Sequence, residues 1–468
     1  MTRICVFTPL PPTKSGVAHY SSLVVPALGA TAFDSLDSYR AEEFDRVIYQ
    51  LGNNPHHELM YREAMRNPDV VVLHDLVLHH LIVELTLARG DAHAYIAAMH
   101  ANHGDAGAAW ARGRASGLHS EMGNFLLPAS VEIAQRAKSV IVHNHYARER
   151  LLSFGVTTPI HVVPHPYVAE TRRFDREALR ARYGFTRDSR VIGFFGFLTS
   201  AKRAEVVLDV FRTARANDPR LALLIVGEPA PNIDLAALQG DGIVLTGYVA
   251  DEDFASYYAI ADRFVNLRYP TAGETSGTLI RAFDAGKPVA VSDYAQFAEF
   301  PDDCVFKVPF ADERERLLEF LTAEPADPSQ AQRAWLEENA TLERCVAGYR
   351  EALRETSGES PVRANATSQL ASIPLFPRLT LVSSTDGITL RNDGDAVIRT
   401  RTYGQPEYRL IAQVIRDGQV VDDRWLALPG DVHPGERVTI DYTPRAAGTL
   451  RLLHALQDVP LVEVADVR

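Results

Sequence analysis

The pattern that most constrains this chain runs once and then runs again. Continuous apolar segments rich in β-branched residues alternate with amphipathic stretches. In the first run RICVFT (3–8), DRVIYQLG (45–52), DVVVLHD (69–75), SVIVHNH (139–145) and IHVVPHP (160–166) read as strands, with helices over 19–28 and 147–154. In the second, RVIGFFGFL (190–198), RLALLIVG (220–227), GIVLTGYV (242–249), RFVNLRY (263–269), KPVAVSD (287–293) and CVFKVP (304–309) are strands. Helices fall there at 204–216, 251–261 and 278–286, the last ended by Gly286. A strand that is apolar along its whole length is buried on both faces, which requires a parallel sheet covered by helices on both sides. Two such runs predict two doubly wound α/β domains.

A chain of 468 residues is long enough for several cores. The pattern places a first Rossmann-like domain at 1–167 and a second at 168–355, with one long helix at about 328–355 packing back across the domains. Residues 356–375 (TSGESPVRANATSQLASIPL) read as a linker. Over 376–468 the texture changes. ITLRND, YRLIAQVIRDGQVV, RVTIDYTP and TLRLLHALQ are strands broken by DG, PG and AG turns, the size and rhythm of an all-β sandwich. Asp422–Asp423 and Asp251/Asp253 read as solvated turns or helix starts, not metal-binding pairs.

Composition excludes other classes. A formal net charge of −12 argues against a broad nucleic-acid surface. The three cysteines, Cys5, Cys304 and Cys345, are far apart and share no CxxC spacing. Neither a disulfide framework nor a zinc site is expected, and a reducing compartment fits. The N-terminus reads as a strand running into prolines and not as a signal peptide. No stretch of about 18 apolar residues occurs, so no spanning helix is expected. The expected location is cytoplasmic, with any membrane contact peripheral, at the inner membrane face.

In doubly wound folds ligands bind beyond the carboxyl ends of the strands. After the first strand, PPTKSGVAHY (11–20) carries Gly16 into a helix N-terminus, which suits a close-approaching anion or is simply a tight turn. After the third come His74 and Asp75, then His79 and His80. His74 and Asp75 suit polar contacts to a donor sugar or an acceptor hydroxyl, or a histidine bonded to backbone. The histidine spacing does not fit a metal pair on one helix face. In the second domain GFFGFLTSAKR (193–203) passes a backbone loop through Gly196 to Lys202 and Arg203, a combination that suits a diphosphate. The strongest feature is YPTAGETSGTLIRAFDAGKPV (269–289), where Glu274 projects beside Ser276, Gly277 and Thr278 at a helix start. Capping explains one hydroxyl there. The whole run suits a phosphate cradle with a carboxylate beside it.

Taken in order, PPTKSGVAHY, VVVLHDLVLHH, VIVHNHYARERL, IHVVPHP, GFFGFLTSAKR, LTGYVADEDFASYYAIAD and GETSGTLIRAFDAGKPVAVSD resemble the retaining GT-B glycosyltransferases of family 4, over about residues 1–355. The GETSG loop resembles that of a subset of bacterial polysaccharide-type enzymes. The resemblance implies a GT-B fold, two Rossmann-like domains facing across a cleft. It implies transfer of a hexose-type sugar from a nucleotide-sugar donor to a glycan or lipid-linked saccharide, with retention and without a metal or other cofactor. It assigns the donor diphosphate to Lys202, with Arg203 beside it and Gly16 approaching. It gives the donor sugar to Glu274, the phosphates to Ser276, Gly277 and Thr278, the anomeric centre to His74, and the base to the loop at Tyr248 and Val249. Two positions depart from the family. Eight residues after Glu274, where a second Glu holds the ribose, stands Ala282, or Arg281 if Gly286 sets the alignment. Where an arginine often precedes the diphosphate lysine stands Phe197. Residues 417–457 resemble the small Ig-like sandwiches of bacterial polysaccharide-assembly proteins. Two other functions stay open on this reading: a non-catalytic glycan-binding protein on a GT-B shell, and a nucleotide-sugar epimerase.

Overall fold

The computed structural model describes residues 2–13, 15–118, 120–230, 233, 236, 238–324, 327–354, 379–383, 387–392, 409–417, 419–430, 432–433, 435–454 and 460–467. The chain divides into two compact units, one of 1–77, 133–152 and 156–361, the other of 78–132, 153–155 and 362–468. The expected linker at 356–375 lies outside the described residues.

The first unit holds both doubly wound sheets expected from the sequence. The N-terminal sheet is built from β1 (Ile4–Phe7), β2 (Thr31–Phe33), β3 (Arg46–Leu51), β4 (Val70–Leu73), β5 (Ser139–Val142) and β6 (Ile160–Val162), all parallel, in the order β2-β1-β3-β4-β5-β6. Between these strands in the chain come α1 (Gly16–Leu28), α2 (Glu58–Arg66), α3 (His79–Leu85), α4 (Ala92–Ala115), α5 (Glu121–Leu126), α6 (Val131–Arg136) and α7 (His145–Ser153). After α8 (Arg176–Arg182) the second sheet is formed by β7 (Arg190–Phe195), β8 (Leu221–Val226), β9 (Ile243–Leu245), β10 (Arg263–Asn266), β11 (Val289–Ser292) and β12 (Phe306–Val308), again all parallel, in the order β12-β11-β10-β7-β8-β9. Its helices are α9 (Ala204–Asn217), α10 (Asp251–Ile260), α11 (Gly277–Asp284) and α12 (Glu313–Thr322).

The apolar runs are continuous because both faces are covered. Along β7, Val191 and Phe195 enter one core cluster while Ile192 and Phe194 enter the other. On β8, Ala222, Leu224 and Val226 alternate in the same way with Leu221, Leu223 and Ile225. A period of two with apolar residues at every position is the signature of a two-sided sheet.

The single long helix expected at 328–355 is two helices, α13 (Ser329–Asn339) and α14 (Leu342–Arg354). The break follows from the crossing the chain makes there. Ala340 leaves helical geometry (φ −123°, ψ 21°) and Thr341 caps the next helix, its hydroxyl accepting from Arg344 N at 3.2 Å. At this point the return strand runs beside the outgoing one, Tyr167 N donating to Ala340 O at 2.7 Å. Leu336 and Ala340 join the core of the second sheet. Cys345, Val346, Tyr349, Ala352 and Leu353 of α14 pack instead with Val6, Tyr20, Ile48, Val70 and Ile141 of the first.

In the second unit α3, α4 and α5 occupy a stretch to which the sequence pattern assigned no element. The Ala-, Gly- and His-rich α4 has no apolar stripe and is kinked at Gly104 (φ 62°, ψ −152°), so periodicity is silent there. The C-terminal strands are antiparallel. One sheet is β13 (Leu379–Ser383), β14 (Ile388–Asn392) and β17 (Arg437–Ile440). The other is β15 (Arg409–Arg416), β16 (Gln419–Ala427), β18 (Gly448–His454) and β19 (Pro460–Val467). Ile388, Leu390 and Ile440 of one sheet share a core with Leu410, Ala412, Leu450 and Leu452 of the other, the packing of a sandwich. Asp422 is not in a solvated turn: it lies in β16, buried, accepting from Arg424 Nη2 at 2.8 Å and Arg445 N at 3.0 Å.

Candidate active site

Each sheet reverses its direction of growth once, between β1 and β3 in the first domain and between β7 and β10 in the second. The loops leaving these strands diverge there and open a crevice. A cleft of about 790 Å³ lies at that place, lined from both domains by Gly16, His19, His74 and Asp75 on one side and Glu274, Gly277 and Arg281 on the other.

Two helices present their N-termini to it. Ser15 caps α1, its hydroxyl accepting from Val17 N at 3.2 Å. Ser276 caps α11, accepting from Leu279 N at 3.4 Å. A Cβ added to Gly16 or Gly277 would meet nothing within 4 Å. Neither glycine answers a crowded neighbour or a positive φ. What each leaves is room over a helix end that favours negative charge.

Lys202 is folded beneath this surface. It is 6 % exposed, and its Nζ donates to Phe195 O at the end of β7. Burial, and then the charge of Arg268, hold its ammonium well below the usual lysine range, with Glu274 acting the other way. Gly196 makes the room: it has φ +95°, and a Cβ there would lie 2.5 Å from Lys202 Nζ.

Glu274 is held on several sides. One carboxylate oxygen pairs with Arg268 Nε at 2.9 Å; the other accepts from Thr271 Oγ1 at 3.0 Å and Ala272 N at 2.9 Å. Gln296, buried, donates to Glu274 O at 2.9 Å and to Thr271 Oγ1 at 2.7 Å. The loop is also tied to the first domain, by Val77 N to Ala272 O (3.0 Å) and Asn144 Nδ2 to Gly273 O (2.9 Å). Such bonds fix the carboxylate before any ligand arrives.

Across the cleft, burial pushes the Asp75 carboxyl up to about 7, the nearby Glu274 charge adding to it; the bond from Asn53 N at 2.7 Å opposes this, as does Arg268. His74 lies in a chain of rings. His143 Nδ1 donates to Val163 O at 2.7 Å, so its Nε2 accepts from His74 Nδ1 at 3.1 Å. Nε2 of His74 is 2.6 Å from Oε1 of Gln50. A neutral ring is satisfied there when the Gln50 carboxamide turns its nitrogen inward, which also partners an Nε2 otherwise buried without one. Neutrality is what burial imposes: it keeps His74 well below the usual imidazole range, His143 at about 4 and His165 at about 3.

The structure gathers Gly16, His74, Asp75, Glu274, Gly277 and Thr278 around one cleft, with Gly196 and Lys202 directly behind it. It directs other candidates elsewhere. The Arg203 guanidinium is bound to Glu313, Nε to Oε1 at 3.0 Å, and lies against the Tyr269 ring. The hydroxyl of Ser276 caps α11 and bonds Thr278 Oγ1 (2.9 Å) and Asn266, so these hydroxyls brace the loop. Tyr248 is 53 % exposed and Val249 packs on the core; neither lines the cleft, and Phe254 of α10 lies there instead. His79 is structural, bonded to Leu127 O and Tyr95 OH at 2.6 Å each. Of the two alignments after Glu274, Ala282 is buried in the core and Arg281 lines the cleft. His143, Asn144 and His165 were not assigned to the site from sequence. Their signal was position, just past the ends of β5 and β6.

Two Rossmann-like domains with a cleft at their switch points define the GT-B fold. HepE from Anabaena, in a structure with UDP and glucose, shares it with a TM-score of 0.53 at 14% identity, covering 75% of this chain and 99% of HepE. A sucrose-phosphate synthase from Thermosynechococcus elongatus aligns at a TM-score of 0.49 and 16% identity, over 76% of this chain and 98% of that one. Residues 189–320, most of the second domain, match the family model for glycosyl transferases group 1. The chain is also 30% identical over 153 residues to the mannosylfructose-phosphate synthase of Agrobacterium fabrum, 28% of this chain. It spans about a third (32%) of that protein's length.

Proposed function

We propose that the chain is a family 4-type glycosyltransferase that moves a hexose-type sugar from a nucleotide-sugar donor to a glycan or lipid-linked saccharide acceptor, with retention, in surface polysaccharide biosynthesis. The observation that carries this reading is the pair of open helix N-termini at Gly16 and Gly277 with the braced Glu274 carboxylate beside them. HepE's structure with UDP and glucose supports a nucleoside diphosphate sugar as the donor class, and the partial match to a mannosylfructose-phosphate synthase supports sugar transfer.

In this reading the diphosphate lies over the ends of α1 and α11, whose N–H groups stabilise it as it leaves, with no metal required. Glu274 has one oxygen paired with Arg268 and the other bonded twice. It suits holding a sugar hydroxyl and facing a developing positive charge at the anomeric carbon better than forming a covalent bond. The acceptor hydroxyl then attacks on the face the phosphate leaves. The C1–O bond to phosphate breaks, the C1–O bond to the acceptor forms, and the acceptor proton passes to the departing phosphate oxygen. Asp75, whose carboxyl burial raises to about 7, keeps its proton below that pH and there donates a hydrogen bond to a sugar or acceptor oxygen.

Calorimetry against nucleoside diphosphates and their sugars, with EDTA present, tests the donor site. The expected result is metal-independent binding of one nucleotide series, followed by retention in the product. Absence of binding to every nucleotide sinks the reading in favour of a non-catalytic shell. Conversion of the free nucleotide sugar without an acceptor would make the protein an epimerase.

A further inference from the structure

The positive charges around the cleft are unequally placed. Lys202 is buried and donates to a backbone carbonyl. Arg268 is ion-paired with Glu274, Arg203 with Glu313, and Arg172 with Glu170. Lys287 lies beyond the C-terminal end of α11, a helix about 12 Å long. Arg281 is placed differently. It follows Gly277 by one turn, on the same face of α11, and helix side chains lean toward the N-terminus. Its Nη2 reaches His19 Nε2 at 3.3 Å, and His19 stands one turn after Gly16 on the same face of α1. Its guanidinium carbon lies over the Phe254 ring, 5.3 Å from the centre. Arg281 thus reaches across the cleft from the second turn of α11 to His19 in the first turn of α1.

We propose that Arg281 is a specificity-determining residue that binds the diphosphate of the donor, joining the two helix N-termini over it. The inference rests on the donor-site reading above and extends it to a residue whose family counterpart would be a carboxylate on the ribose. A guanidinium between the first turns of two helices offers a phosphate a planar fork where each helix end offers only N–H groups. Ribose recognition would leave a different signature, because it is shared by nucleoside and nucleotide alike.

The test is calorimetry of the full chain and its Arg281→Gln and Arg281→Lys variants with the nucleoside, the nucleoside monophosphate and the nucleoside diphosphate of the base that wild type binds. Arg281→Gln is expected to lose roughly tenfold or more in affinity for the diphosphate, to leave the nucleoside unchanged, and to show a shallower salt dependence. Arg281→Lys, which keeps the charge and loses the fork, is expected to fall between. Equal losses for all three ligands, or none, overturn the proposal while leaving the donor site intact. Failure of wild type to bind any of them removes the donor site, and the proposal with it.

Discussion

At the scale of residues, the role proposed for Glu274 separates binding from turnover. Its carboxylate is fixed by Arg268, Thr271 and Ala272, while the diphosphate is proposed to lie over Gly16 and Gly277, where a Cβ would meet nothing within 4 Å. Glu274→Gln should lower kcat by about a hundredfold or more and keep nucleoside diphosphate affinity, measured by steady-state kinetics beside calorimetry. Asp75 gives a pH signature. Its folded carboxyl titrates at about 7, against about 3.9 for a free aspartate. Between those values the folded chain keeps a proton that the unfolded chain has released, so this group's stabilisation is complete below about pH 4 and is lost as pH rises through 7. Asp75→Asn removes that dependence. Its melting temperature relative to wild type should rise steadily from pH 4 to pH 7, and the variant should lack the fall in kcat/KM above pH 7 that is expected of wild type. A difference flat in pH would mean that Asp75 is ionised in the fold. Little of this was legible beforehand. His74, Asp75 and Glu274 stood out as polar residues after strands, but an aspartate in sequence carries no sign of burial, and Arg203 looked like a phosphate ligand until Glu313 appeared beside it.

At the scale of elements, α14 is the informative one. Its sequence belongs to the end of the second domain and its buried face belongs to the first sheet. Tyr349 is fully buried, its hydroxyl 2.9 Å from that of Tyr20 on α1, the helix that brings Gly16 to the cleft. Tyr349→Ala should cost about 3–5 kcal/mol of unfolding free energy, and Tyr349→Phe about 1 kcal/mol, by urea denaturation. Near-neutral values for both would mean that α14 does not seal the sheet. An amphipathic pattern announces a buried face and not what covers it. Hence the amphipathic stretch was visible in sequence, while the break at Ala340 and the return to the first domain were not.

At the scale of the whole molecule, the residues that line the cleft run from Ser15 to Lys287. A chain ending at Arg354 should bind nucleotide within about twofold of the full chain, a difference of under half a kcal/mol, by the same calorimetry. A larger loss would show that the C-terminal strands support the donor site. Among the described residues no helix is long and apolar enough to cross a membrane.

By itself the sequence determined the two doubly wound sheets, because a strand covered on both faces must be apolar at every position, and that signal is local. It also marked the loops that reach the cleft, since ligands gather beyond strand ends. The C-terminal strands were legible for the related reason that period-two alternation is local too. Tertiary structure decided the rest: which cations are spent on carboxylates, that Arg281 and not Ala282 faces the cleft, and that His74, His143 and His165 come together from three strand ends. Most of those facts depend on contacts between residues tens to hundreds of positions apart, and a one-dimensional pattern has no term for them.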